Sequence, residues 1–247
     1  MNQQNGILTL GELQTFRLNN DVDETQHLQV FLFDALTLKT VSGATVSVTS
    51  LQTNHSRLEQ TDAQGLFKFR DLSDPGAYKI IAAHPDYQST QQVHLHVNTR
   101  ANDTLAIYML PQFSSKSELY FMLESDSALH LDFKVDANQT CKVGPLQRLC
   151  GGISYHEGKK ARQPQIIKMP EIGNTTYLIY AEKSEEAMSF SIRASSMASP
   201  IIINNPKLGQ DQKYWIIGCL KGSLGLENIE ILNSESALQP NISDYCI

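Results

Sequence analysis

Short stretches of alternating apolar and polar residues run through nearly the whole chain. Ala44-Thr45-Val46-Ser47-Val48-Thr49 and Leu66-Phe67-Lys68-Phe69-Arg70 alternate strictly, and Tyr78–Ala82, Val93–Val97 and Leu105–Leu110 follow the same rhythm. A period of two turns one face of a strand to a core and the other to water. His27–Phe33 is dense in β formers. Turn residues separate these stretches: Ser42-Gly43, Asp62–Gly65, Asp74-Pro75-Gly76 and Pro85-Asp86. No long 3.6-residue period intervenes. The pattern predicts an all-β chain of tandem antiparallel β-sandwiches.

The rhythm breaks at Pro111–Ser117 and resumes with Leu119–Leu123 and Leu129–Val135. Further strands are expected at Tyr177–Ala181, Ser189–Arg193, Pro200–Ile203, Tyr214–Cys219 and Asn228–Leu232, with a helical turn at Ser184–Met188. The predicted organisation is an N-terminal strand-like extension over 1–26, one sandwich over 27–111 and a second over 118–247.

The extension has no obvious hairpin partner nearby. Leu8 and Leu10 share one face of an extended segment that starts at Ile7, and Phe16 and Leu18 form a second short stripe, with Gly11 between them as a bulge position. One reading makes it the first strand of its own sandwich. The other makes it a strand donated to the sheet edge of a second copy. Burying Leu8, Leu10, Phe16 and Leu18 contributes roughly 6–10 kcal/mol. Ordering the backbone offsets most of that, so such a joint also needs backbone pairing.

Composition narrows the class. Of 247 residues, 41% are hydrophobic and 19% charged, which places the chain among folded rather than disordered proteins. A net charge of -6 leaves no basic excess for displacing counterions from phosphates, so no nucleic-acid partner is expected. No apolar run approaches the roughly 18 residues of a membrane span. Met1–Gly6 is polar and Ile7–Leu10 is short, so the N-terminus does not read as a secretory signal. The chain is then either cytosolic or a mature or truncated form.

Cysteines and asparagines favour the second. The 4 cysteines, Cys141, Cys150, Cys219 and Cys246, all lie in the second half and form no Cys-x-x-Cys. The spacing predicts a bridge Cys141–Cys150 across a hairpin turning at Gly144-Pro145, and a bridge Cys219–Cys246 tying the C-terminus to the Trp215 strand. Buried free thiols are the alternative. Asn-x-Ser/Thr acceptors for N-linked glycans occur at Asn54, Asn102, Asn138, Asn174 and Asn241. Paired cysteines and these acceptors together point to an oxidising, extracellular route.

Chemistry-bearing patterns are sparse. His94 and His96 share a strand face, with His84 as a conceivable third ligand, but solvated strand histidines explain them as well. His156-Glu157 lacks the second histidine of a zincin. Glu185-Glu186 and Asp21-Asp23-Glu24 read as solvated surface, and Lys159-Lys160-Arg162 is too short for a phosphate-binding patch. Gly222-x-x-Gly225 is not a phosphate loop, and no Gly-x-Ser-x-Gly elbow occurs. No catalytic residue, metal site or cofactor is expected.

One set of motifs resembles a known family. Val41-Ser42-Gly43-Ala44-Thr45-Val46, Thr61-Asp62-Ala63-Gln64-Gly65-Leu66-Phe67-Lys68-Phe69, Leu72, Gly76-Ala77-Tyr78 and His84-Pro85-Asp86-Tyr87 resemble the carboxypeptidase regulatory-like, or transthyretin-like, domain over residues 28–110. The resemblance implies a β-sandwich and little about function, since this module accompanies many activities. The second half resembles a YfaP-like extracellular β-sandwich at Ala128-Leu129-His130-Leu131, Cys150-Gly151-Gly152-Ile153-Ser154 and Gln163-Pro164-Gln165. The acidic positions of that pattern are here Ala128, His130, Ser154 and Gln165, so a calcium site is not implied. Taken together, the sequence predicts a non-catalytic extracellular structural protein, a fibre or surface-layer subunit whose partners are copies of itself. The alternatives are an adhesin or carbohydrate-binding module, or an accessory fragment of a secreted peptidase.

Overall fold

The computed structural model describes residues 16–17, 27–70, 76–96, 103–115, 118–125, 131–137, 141–157, 163–171, 175–183, 190–195, 201–204, 212–221 and 229–246. Strands are the dominant element among these residues, with turns between them and one short helix. They fall into two units, Met1–Gln112 and Phe113–Ile247. The helical turn expected at Ser184–Met188 lies outside the described residues.

The first unit contains β1 (Phe16–Arg17), β2 (His27–Asp34), β3 (Thr45–Ser50), β4 (Ser56–Gln60), β5 (Leu66–Arg70), β6 (Gly76–His84), β7 (Tyr87–His96) and β8 (Asp103–Met109). They build two four-stranded sheets, ordered β1-β8-β2-β5 and β4-β3-β6-β7. Period-two alternation sends Leu28, Val30 and Leu32 of β2, Val46 and Val48 of β3, Phe67 and Phe69 of β5, Tyr78 and Ile80 of β6, and Leu105, Ile107 and Met109 of β8 into one core. One pairing departs from the antiparallel pattern: β8 lies parallel to β2, from Leu28↔Asp103 to Asp34↔Met109. β8 reaches that position only after the chain has crossed to the second sheet and back, the kind of long connection parallel neighbours need.

The family-like motif residues are explained by backbone geometry. Gly65 has φ +70°, and a Cβ there would lie 2.9 Å from the Leu32 carbonyl oxygen, so glycine suits both the turn and the close approach of β2. The Asp62 carboxylate accepts from the Gln64 and Leu66 N–H groups, closing the same turn. Thr61 is buried; its hydroxyl donates to the Val41 carbonyl and accepts from the Ala44 N–H.

The second unit contains β9 (Leu119–Ser125), β10 (Leu131–Ala137), β11 (Cys141–Val143), β12 (Leu149–Cys150), β13 (Ile153–Glu157), β14 (Gln165–Met169), β15 (Thr176–Lys183), β16 (Phe190–Ser195), β17 (Ile201–Asn204), β18 (Tyr214–Lys221), β19 (Ile229–Ser236) and the helix α1 (Ile242–Tyr245). A six-stranded sheet, β12-β13-β14-β9-β16-β17, and a five-stranded sheet, β11-β10-β15-β18-β19, enclose a core that includes Phe121, Tyr155, Ile167, Ile179 and Trp215.

β18 is apolar on both faces because both are covered. Trp215, Ile217 and Leu220 belong to the inter-sheet core. Tyr214, Ile216 and Cys219 lie in a second cluster with Ile242, Tyr245 and Cys246 of the C-terminal segment. Strict alternation would put Cys219 on the core face with Trp215 and Ile217. The register shifts between Ile216 and Gly218, and the extra residue moves Cys219 to the outer face. A Cβ at Gly218 would run into the Glu230 carbonyl, so glycine admits β19 at this bulge. α1 has no counterpart in the sequence expectations. Asn241 caps it, its side chain accepting from the Ser243 N–H, and four residues are too short for a periodic signal.

Candidate assembly site

β8 carries the edge that matters here. β2 lines one side over all seven β8 residues, while on the other side the described residues of β1 pair as Phe16↔Thr104 and Arg17↔Asp103. From Leu105 to Met109, no described strand occupies that outer side. The β8 side chains from Thr104 to Met109 are buried on both faces. A strand entering this edge therefore meets backbone donors and acceptors flanked by apolar walls, the arrangement used in strand addition.

β1 bears on the two readings of the extension. Phe16 and Arg17 pair with β8 of the same chain, as the reading of a first strand of its own sandwich has it. The physical reason is reach. Arg17 lies across β8 from Leu28, two strand spacings or about 10 Å away. The connection over 18–26 spans up to about 30 Å when extended. Ile7, Leu8, Leu10 and Leu18 lie outside the described residues.

The edge at β4 is built differently. All five β4 residues are exposed. Arg57 and Glu59 stand opposite Val48 and Val46, so both charges occupy the core-facing side, and the Arg57 guanidinium sits 5.3 Å from the centre of the Phe69 ring. Inward-facing charge on an edge strand opposes pairing with another chain. Leu58, 68% exposed, faces outward beside Ser47.

The cysteines are paired as Cys141–Cys150 and Cys219–Cys246. The first bridge does not cross a hairpin, as the Gly144-Pro145 spacing implied. β11 pairs with β10 in the five-stranded sheet and β12 with β13 in the six-stranded sheet, so the bond ties edge strands of opposite layers. The Gly144 N–H donates to Gln147, and the chain changes sheets there instead of folding back into one. The second bridge fastens the segment after α1 to the outer face of β18.

Two acceptor asparagines are described. Asn54 is exposed in the β3–β4 turn at φ +57°, and Asn241 is half-buried as the α1 cap. Asn102, Asn138 and Asn174 lie outside the described residues, as do the side chains of His94 and His96. His84 Nδ1 accepts from the Asp86 N–H. Among the described residues no three His, Cys, Asp or Glu side chains cluster as metal ligands, and no helix is long and apolar enough to cross a membrane. Trp215 is fully buried and its indole N–H donates to Asn233, so its ring is not a surface for stacking sugars.

Two polar clusters escaped the sequence reading. Glu118 is fully buried in the second unit. One carboxylate oxygen accepts from the Ser114 N–H and Oγ–H. The other accepts from the Tyr120 hydroxyl and lies 2.8 Å from Lys168 Nζ. Burial by itself pushes the Glu118 carboxyl up, but Lys168, Ser114 and Tyr120 outweigh it and hold the group below the usual carboxylate range. In the first unit the Tyr87 hydroxyl donates to Asp34. Burial, then the Asp34 hydrogen bond and charge, push the Tyr87 phenol up to about 12. Asp34 also accepts from the Leu36 and Thr37 N–H groups, so both clusters lock turns and strand ends.

Residues 27–110 match the family model of the carboxypeptidase regulatory-like domain, in agreement with the motifs. No match was found among curated proteins. Among solved structures the chain is similar to BcpA, the major pilin subunit of Bacillus cereus, at 10% identity over 73% of this chain and 69% of that one, TM-score 0.29. It is similar to the full-length major pilin SpaD from Corynebacterium diphtheriae at 13% identity over 81% and 67%, TM-score 0.30. It is also similar to fervidolysin from Fervidobacterium pennivorans, a keratinolytic enzyme related to subtilisin, at 14% identity over 77% and 30%, TM-score 0.27. At these scores none of the three carries an argument about this chain.

Proposed function

We propose that the chain is a non-catalytic extracellular structural protein, a subunit of a fibre or surface assembly whose copies join by β-strand addition of residues 1–26. The observation that carries this reading is β1: part of the extension sits as a strand against the β8 edge, where the described residues Phe16 and Arg17 meet Thr104 and Asp103. The contrast with β4, where Arg57 and Glu59 guard the edge, supports β8 as the joint. The two disulfides support an oxidising compartment. N-linked glycans at Asn54, Asn102, Asn138, Asn174 and Asn241 belong to the same reading.

Pairing within one chain competes with pairing between chains. A tethered segment acts at an effective concentration in the millimolar range. Exchange between copies therefore prevails at high local concentration or with added contacts at the joint. Because the donor and acceptor surfaces differ, one-way exchange repeated from copy to copy gives an open head-to-tail chain, whereas reciprocal exchange between two copies closes a swapped dimer. Sedimentation velocity over a rising concentration series tests the reading. The full chain is expected to form a ladder of oligomers, and the chain lacking residues 1–26 to stay monomeric with both sandwiches folded. Identical monomeric profiles for the two at every concentration would overturn it.

A further inference from the structure

The sheet β4-β3-β6-β7 carries apolar side chains on the face turned away from its core. Thr45, Ser47 and Thr49 of β3 alternate with the buried Val46 and Val48 and so lie on that outer face. The register sets Leu58 of β4 and Ile81 of β6 on either side of Ser47, and Ser56 and Lys79 on either side of Thr49. Strand patterning is reversed on β4: Arg57 and Glu59 take the core-facing side, and Leu58 is turned outward with 68% of its surface exposed. Among the described residues of β3, β4 and β6, Lys79 is the one charged side chain on this face. We infer that the face pairs with the same face of a second copy, about a two-fold axis that runs along β3.

The occupant follows from the register. An axis along β3 leaves β3 facing β3 and lays β4 of each copy over β6 of the other. Leu58 then meets the second copy's Ile81, Ser47 meets Ser47, and Lys79 meets the hydroxyl of Ser56 and not a second ammonium. The face is thus complementary to itself, which an isologous contact requires. Thr49 Oγ1 donates to Ser56 Oγ at 2.9 Å, and Ser47 Oγ lies 3.2 Å from the same atom, so these hydroxyls keep partners within the face when water leaves. The short side chains let two sheets approach to about 10 Å with their strands at about 30°. From a strand spacing of about 4.8 Å and a rise of about 3.4 Å per residue, the overlap of β3, β4 and β6 covers roughly 250 Å² per copy. A stable dimer takes about 800 Å². The contact is therefore weak between free copies and takes hold where copies are concentrated, as in the assembly proposed above. That role rests on the proposed function, while the pairing itself uses no residue of 1–26.

Charge-swap variants of the full chain test the pairing, read by sedimentation equilibrium from micromolar to millimolar concentration. Leu58→Asp and Ile81→Lys each leave an unpaired charge in the contact and are expected to weaken association by about tenfold or more. An equimolar mixture of the two is expected to recover it to within about threefold, because one Leu58–Ile81 contact of the mixed pair stays apolar and the other becomes an ion pair. Ser47→Glu and Ser47→Arg are expected to behave in the same way, since Ser47 meets itself. Recovery on mixing is also the control for folding, because two chains that failed to fold would not regain association. A wild-type chain that stays monomeric into the millimolar range, variants that associate as the wild type does, or mixtures no stronger than their parts would overturn the inference. Strand addition is blind to these substitutions. Oligomers that ignore all four variants would leave strand addition standing and remove the face pairing, whereas oligomers that ignore the removal of residues 1–26 but follow the mixing pattern would do the reverse.

Discussion

Glu118→Gln is the perturbation whose size follows most directly from the geometry. The wild-type carboxylate is fully buried and receives hydrogen bonds from Ser114 N–H, Ser114 Oγ–H and Tyr120 O–H beside the Lys168 ammonium. Glutamine keeps the shape but replaces one acceptor oxygen with a donor, so at least one of these donors loses its acceptor and Lys168 loses its counter-charge. Breaking a buried pair from one side costs about 3–5 kcal/mol. The Lys168 side chain is 31% exposed and retains access to water, which lowers the expected cost to about 2–3 kcal/mol. The single tryptophan, Trp215, lies in the core of this unit, so urea unfolding followed by its emission reports on the right sandwich. With a slope of about 1–3 kcal/mol per molar urea, the midpoint is expected to fall by about 0.7–3 M. The sign with pH is also fixed. A carboxyl held low in the folded state stabilises fully above its unfolded value of 4.5, and that stability disappears as pH falls through the folded value. The gap between wild type and variant is therefore expected to close in acid. A variant within 0.5 kcal/mol of wild type at pH 7, or a gap that widens on acidification, would refute the account of this cluster.

Three further outcomes are expected. Tyr87→Phe should cost about 1 kcal/mol at neutral pH through the lost bond to Asp34. Because the folded phenol titrates near 12 against 10.0 when unfolded, the wild type should lose about 2–3 kcal/mol between pH 10 and 12 in chemical-denaturation profiles, a loss the variant should lack. Cys219→Ser/Cys246→Ser should lower the stability of the second unit by about 3.5 kcal/mol on loop entropy for a separation of 27 residues, measured by the same tryptophan emission. The intact mass of protein from its natural source should exceed the bare polypeptide by N-glycans and return to it after enzymatic deglycosylation.

Much of the sandwich architecture is legible in residues whose role is local. The alternation of β3 depends only on which positions pack and which meet water, and the Thr61–Gly65 turn declares itself through Asp62 and a glycine that must adopt positive φ. The parallel placement of β8 beside β2 is a tertiary choice, and either strand would show the same pattern with an antiparallel neighbour. Cys219 was readable as a bridge candidate, but its face depends on the bulge at Ile217, and inserting one residue leaves no local mark beyond Gly218. The spacing of Cys141 and Cys150 is that of a hairpin. Only the sheet assignments reveal that the chain changes layers between them. The Glu118 cluster had no motif to announce it: its lysine comes from β14, brought opposite Tyr120 by register.

The central claim is that residues 1–26 add as a strand to β8 and can do so from outside the chain. Titrating a synthetic peptide of residues 1–26 into the chain lacking them, by calorimetry with hydrogen exchange on the same samples, measures this directly. The account predicts saturable binding at one site per chain, protection concentrated in Leu105–Met109, and no binding by a peptide of the same composition in scrambled order. An absence of binding up to millimolar peptide, or equal binding by the scrambled peptide, would contradict it.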